Sequence, residues 1–189
     1  MIINEKGLAK LLADEYRSCG YCVWTDGYTM WLRGGGWLAG IDTDRVPGKI
    51  LGMLAEHLCC LPGKGEAYRV TKAKGGPYIQ LESKEYVAEI VATMEETARL
   101  GLDEDHRTAV RPTKLTCNGF QIWQALPDCA IMQIDPRYAA AIEDPMKVFR
   151  IGNGIYGADT QSRLWIFAER ESEPESGQMR HLSQLRWVQ

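Results

Sequence analysis

The stretch GYTMWLRGGGWLAGID, residues 27–42, sets two tryptophans around three consecutive glycines. A Walker-type phosphate loop needs Lys and then Ser or Thr after its glycines, opening a helix. Here Gly34, Gly35 and Gly36 run into Trp37, Leu38 and Ala39, with no lysine or hydroxyl in place. No helical pattern follows, so a dinucleotide fingerprint fails as well. On either side the residues alternate as strands do, with Tyr28, Met30 and Leu32 pointing one way and Thr29, Trp31 and Arg33 the other. Three glycines permit the positive backbone angles of a tight turn. The stretch reads as a β-hairpin.

That hairpin has an echo in GFQIWQALPDCAIMQIDP, residues 119–136. Gly27 matches Gly119, Tyr28 matches Phe120, Met30 matches Ile122 and Trp31 matches Trp123. After one extra residue in the turn, Ile41-Asp42 matches Ile134-Asp135. In both copies an acidic residue precedes a helix with proline in its first turn, Asp44 and Pro47 before GKILGMLAEHL, Asp135 and Pro136 before RYAAAIED. Asp accepts from N–H groups left free there, and proline has none to leave unpaired.

The match extends outward. Leu8, Leu11, Leu12 and Tyr16 fall at helical spacing within residues 5–17, as do Val87, Ile90, Val91, Met94 and Ala98 within 83–100. Beyond the second helix of each copy comes another hairpin, AYRVTKAKGGPYIQL turning at Gly75-Gly76-Pro77, and KVFRIGNGIYGADTQSRLWIFAE. The expected class is α+β. Two tandem units, residues 1–82 and 83–169, would each run helix, three strands, helix, two strands. Their antiparallel sheets would lie side by side with helices on one face. Residues 170–189 form a charged linker and a short amphipathic segment, with Met179, Leu182, Leu185 and Trp187, that can dock on its own core, a second copy or a partner.

At 189 residues and 45% hydrophobic content the chain can bury a core without disulfides or metal. A formal net charge of −3 weighs against binding nucleic acid mainly through phosphates, which needs a basic face. The N-terminus lacks a basic stretch followed by an apolar run, and no long uncharged apolar window appears, so a cytoplasmic chain with no membrane association is expected. Its six cysteines are then reduced thiols.

Cys19-Gly20-Tyr21-Cys22 has the spacing of a redox pair or half a zinc site. For zinc, the other ligands would come from His57, Cys59 and Cys60. The motif follows a helix and enters a strand, the reverse of the thioredoxin order, and buried core thiols are the ordinary reading. His57 lies beside Glu56 and the Cys59-Cys60 pair, while His106 sits in DEDHR, where carboxylates can hold a hard cation. No serine-hydrolase elbow, zinc-protease helix or kinase set appears. No catalytic residues and no cofactor are expected.

Helix, three strands, helix is also the topology of double-stranded-RNA-binding domains, which place a lysine cluster at their second helix. The first unit offers only Arg45 and Lys49 there and the second only Arg137. Arg69, Lys72 and Lys74 make one modest basic patch. The acidic side is better organised: Glu85, Glu89 and Glu96 share a stripe opposite the apolar positions of helix 83–100 and continue into Asp103, Glu104 and Asp105. A solvated helix face is the plain reading, and an anionic surface for a basic partner is the functional one.

In size, acidity and lack of catalytic motifs the chain resembles small accessory proteins of bacteriophages and mobile elements, anti-CRISPR inhibitors among them. The resemblance implies a stoichiometric inhibitor of host defence, binding the basic groove of a CRISPR effector nuclease or its guide-RNA complex. Glu85, Glu89, Glu96, Asp103, Glu104 and Asp105 would then stand in for phosphates. Three classes remain open: this protein-binding inhibitor, a nucleic-acid-binding module of double-stranded-RNA-binding topology, and a zinc- or thiol-dependent protein using Cys19 and Cys22. A homodimer is compatible with each.

Overall fold

The computed structural model describes residues 1–101, 108–126 and 130–168. In chain order the elements are α1 (Glu5–Arg17), β1 (Tyr21–Thr25), β2 (Thr29–Arg33), β3 (Trp37–Asp42), α2 (Gly48–Leu58), β4 (Ala67–Ala73) and β5 (Gly76–Leu81). They continue with α3 (Lys84–Gly101), β6 (Thr108–Cys117), β7 (Phe120–Leu126), β8 (Ile131–Ile134), α4 (Pro136–Ala139), β9 (Val148–Ile151), β10 (Gly154–Ala158) and β11 (Ser162–Phe167). The protein is α+β. All the strands join one sheet in the order β5-β4-β1-β2-β3-β11-β10-β9-β6-β7-β8, where two adjacent sheets were expected. The seam is β11, which pairs antiparallel with β3 (Leu164 opposite Ala39, Ile166 opposite Trp37). The sequence reading ended the second unit with two strands, but a third is present there.

Alternation along the strands sorts the core into two layers. Tyr21, Val23, Met30, Leu32, Ala39, Ile41, Leu164 and Ile166 face one side, where α1, α2 and α4 add Leu8, Leu12, Ile50, Leu54 and Tyr138. Trp24, Trp31, Leu38, Tyr156 and Trp165 face the other, covered by Val87 and Val91 of α3. The helices therefore occupy both faces of the sheet, contrary to the expected single layer. In its amphipathic pattern α3 resembles α1, and what sends it to the other side is the row of large aromatics there. Burying rings of that size outweighs any local preference of the helix.

The two tryptophan hairpins also differ in orientation. Trp31 lies opposite Gly40 and Met30 opposite Ile41. In the second hairpin Trp123 lies opposite Met132, and Ile122 faces Gln133, not Ile134. Trp123 consequently packs in the layer covered by α1, α2 and α4, while Trp31 packs under α3. A one-residue change of register moves side chains to the opposite face. The correspondence of Trp31 with Trp123 does not hold in space.

Glycines 34–36 have a different role from the one expected. The residues with positive φ are elsewhere, Gly27 (φ 97) among them, in the β1–β2 turn where the Asp26 carboxylate accepts from the N–H groups of Tyr28 and Thr29. The triple glycine instead lets the β2–β3 turn press against helices. A Cβ on Gly36 would lie 2.4 Å from the Tyr138 ring, and one on Gly34 2.3 Å from the Trp37 indole nitrogen and 2.8 Å from Glu15.

The helix starts divide as well. Asp135 caps α4 by accepting from Arg137 N–H, with Pro136 in the first turn. Asp44 does not cap α2: it lies in a short 3-10 turn, and Pro47 occupies the capping position with no side-chain bond. α4 itself stops after four residues, well short of the RYAAAIED stretch.

Candidate functional site

The outer face of α3 is the best organised surface the sequence reading singled out. Val87 and Val91 are buried on its inner side, and Ala88 and Met94 pack against the same aromatic cluster. Glu85, Glu89 and Glu96 are exposed on the outer side. Three carboxylates of this helix are engaged within the protein, Glu85 accepting from the Ser83 hydroxyl at 2.7 Å. Glu96 accepts two bonds from the Arg99 guanidinium, at 3.0 and 2.8 Å, which hold it below the usual carboxylate range. Glu95 bonds Arg163 of β11, whose guanidinium also stands 5.8 Å over the Trp31 ring. Sequence reasoning missed the Glu95–Arg163 tie because 68 residues separate the partners and no local spacing announces it. Asp103, Glu104, Asp105 and His106 lie outside the described residues.

The cysteine and histidine set is dispersed. Cys19 follows α1, and its thiol donates to Glu15 Oε2 at 2.7 Å, while Glu15 Oε1 accepts from Gly35 N–H at 3.2 Å. That bond to Glu15, with burial, raises the Cys19 thiol above its ordinary value. Burial raises the Cys22 thiol too, with Arg69 and Arg33 opposing. Raised thiols are poor nucleophiles at neutral pH. Both cysteines line a cleft of about 200 Å³ with Arg33, Gly34, Gly35 and Arg69.

His57 belongs to the other layer. Its ring stacks on Tyr16 at 3.8 Å, and its Nδ1 lies 3.0 Å from the Tyr21 hydroxyl. Because Tyr21 and Cys22 alternate across β1, the sheet itself separates His57 from Cys22. Cys59, in left-handed conformation (φ 64), and Cys60 are exposed at the end of α2. Among the described residues no group of three or more His, Cys, Asp or Glu side chains is placed to hold a metal ion.

His57 has a measurable consequence. Burial lowers its imidazole below the ordinary 6.5, against an opposing effect of Glu56. On acidification the unfolded chain takes up that proton first. The stability contributed by neutral His57 is full above 6.5, declines as pH falls below it, and levels off once the folded imidazole also protonates. Urea midpoints should therefore drop between about pH 7 and pH 5, and His57→Gln should flatten that segment. A slope that survives the substitution would assign the effect to another group.

Of the cations that a double-stranded-RNA-binding reading requires, the three arginines are tied to carboxylates. Arg45 lies 3.6 Å from Asp44, Arg69 bonds Glu82 at 2.6 Å, and Arg137 forks onto Asp135. Burial alone would raise the Asp135 carboxyl, but the side-chain and backbone bonds from Arg137 outweigh it and hold the group low. Lys49, Lys72 and Lys74 are exposed. Among the described residues no helix is long and apolar enough to cross a membrane.

Neither a protein-family model nor a curated protein matches the chain. Among solved structures it overlaps loosely with two DNA polymerase III β chains. One, from Streptococcus pneumoniae, is 9% identical with a TM-score of 0.37, covering 92% of this chain and 65% of the other. The second is described as a DNA polymerase III β subunit from Eubacterium rectale. It is 8% identical with a TM-score of 0.33, over 87% of this chain and 62% of that one. Overlaps this loose carry no argument about activity.

Proposed function

We propose that this chain acts by binding a basic protein surface through the outer face of α3, without turnover. The observation that carries the reading is the exposed stripe of Glu85, Glu89 and Glu96 on a helix whose opposite side is fixed on aromatic rings. A carboxylate row on a seated helix presents charge at a defined spacing, which favours fast and selective encounter with a cationic groove. The resemblance to anti-CRISPR inhibitors suggests the partner, a CRISPR effector nuclease or its guide-RNA complex in the cytoplasm of a bacterial host. Asp103, Glu104 and Asp105 would extend the surface.

The same reading includes a tandem origin, with units at residues 1–82 and 83–169. In its support, the first half orders its strands β5-β4-β1-β2-β3 and the second β10-β9-β6-β7-β8, with β11 added at the joint.

The test is affinity capture from a bacterial lysate, with and without nuclease treatment, followed by binding measurements on the captured protein. Glu85→Lys, Glu89→Lys and Glu96→Lys together should weaken binding by about tenfold or more while the melting temperature holds. Unchanged affinity in the triple variant would overturn the acidic-face mechanism. Salt-sensitive binding of RNA by the purified chain alone would replace it with the nucleic-acid reading.

A further inference from the structure

The turn expected at Gly75-Gly76-Pro77 closes one residue earlier, because Ala73 already pairs with Gly76. Pro77 therefore falls inside β5, the outermost strand of the sheet. From Gly76 to Leu81 this edge reads GPYIQL, without a charge, and Tyr78, Ile79 and Leu81 are 57%, 38% and 70% exposed. Sheet edges are ordinarily blunted with charged side chains or proline; Pro77 removes one donor here, while the apolar, uncharged stretch from Tyr78 to Leu81 remains a template for another strand.

Among the described residues, the backbone groups of β5 divide between β4 and the outer side of the sheet. Glu82 N–H donates to Ala67 O at 2.8 Å, towards β4. In an antiparallel strand, N–H and C=O groups of alternate residues turn to the same side. Gln80 and Tyr78 are in phase with Glu82 and turn to β4, so Pro77, Ile79 and Leu81 turn outward. Proline, lacking an N–H, is tolerated on that outward side.

We propose that β5 pairs antiparallel with β5 of a second copy, about a two-fold axis through Ile79. This register sets Ile79 against its symmetry mate and Pro77 against Leu81 in both directions. It forms four backbone bonds: Ile79 N–H to the mate's Ile79 carbonyl, Leu81 N–H to the mate's Pro77 carbonyl, and the reciprocal pair. The side chains of Pro77, Ile79 and Leu81 share one face of the sheet, so apolar groups meet across the axis. Tyr78 meets Gln80 on the other face. A two-fold interface must be self-complementary, and the register centred on Ile79 uses the whole outward set Pro77, Ile79 and Leu81, the missing Pro77 N–H ending the ladder at both sides. The edge at the far end of the sheet, β8, is four residues long with Met132, Gln133 and Ile134 buried, and offers no such apolar display.

Sedimentation of the intact chain over a dilution series tests the pairing. Wild type should show a monomer–dimer equilibrium at submillimolar concentration. Ile79→Pro removes the central donor from a group that β4 does not use, and should weaken the dimer by about tenfold or more. Pro77→Val restores the missing donor, adds two bonds, and should tighten the dimer. A chain that stays monomeric throughout, a dimer indifferent to both substitutions, or open-ended growth in place of a dimer would each overturn the proposal.

Discussion

Alanine at Gly7 should cost about 2–4 kcal/mol of folding stability, although alanine is the better helix former. In an exposed helix interior the same change would stabilise by about 1 kcal/mol, so the two effects have opposite signs. What decides between them is the closeness of α1 to the segment after α4. A Cβ on Gly7 would lie 1.9 Å from the Ala140 carbonyl oxygen, 2.5 Å from its carbon and 2.8 Å from the Ala141 Cα. All three atoms are backbone, so no side chain can rotate away, and relief requires moving one element off the other. The neighbouring bonds resist that movement. Asn4 caps α1 by accepting from Gly7 N–H at 2.9 Å, Asn4 N–H donates to Ala141 O, and Glu143 N–H donates to Ile2 O. Ile3 and Ile142 form an isolated bridge in the same place. This contact joins the start of the chain to its second half, so the loss should appear in global urea unfolding as a lower midpoint at an unchanged slope. A Gly7→Ala variant as stable as wild type, or more so, would mean that this close approach is absent in solution.

Gly7 also shows where sequence reasoning stops. Periodicity placed the first and third helices within a residue or so, because an amphipathic stripe is a local property of the chain. Alternation located the strands of both tryptophan hairpins for the same reason. The glycines were misread because a missing Cβ serves two purposes that look alike in sequence. Gly27 is needed for its positive φ, whereas Gly34 and Gly36 are needed for their lack of bulk next to Trp37 and Tyr138, contacts made by the tertiary fold. The pairing of β11 with β3 was invisible, since it joins residues more than a hundred positions apart. At the candidate site the glutamate stripe was legible as helix periodicity. The bond from Glu95 to Arg163 was not, nor was the separation of His57 from Cys22 by the thickness of a sheet.

The second large effect is expected at Trp31. Replacement by alanine should lower stability by about 3–5 kcal/mol, the range for deleting a buried aromatic. Trp31 is 3% exposed, with ring centroids of Trp24 at 6.4 Å and Trp165 at 6.2 Å. Gly40 on the facing strand makes room for it: a Cβ there would meet the indole at 2.5 Å. The ring has one liability. Its N–H, like those of Trp24, Trp37 and Trp165, is buried without a hydrogen-bond partner among the described residues. Phenylalanine removes that unsatisfied donor along with some volume, so the two effects offset and Trp31→Phe should cost only about 1 kcal/mol. The alanine variant should also loosen α3 selectively. Val87 and Val91 rest on this aromatic row, and Arg163 reaches from above Trp31 to Glu95. Amide exchange in α3 should then accelerate more than in α1, whose apolar side packs in the opposite layer. The acidic stripe would lose its fixed spacing even though none of its own residues had changed. If α3 keeps its protection in Trp31→Ala, the helix is held by something other than the aromatic row, and the rigidity invoked for the glutamates has no foundation.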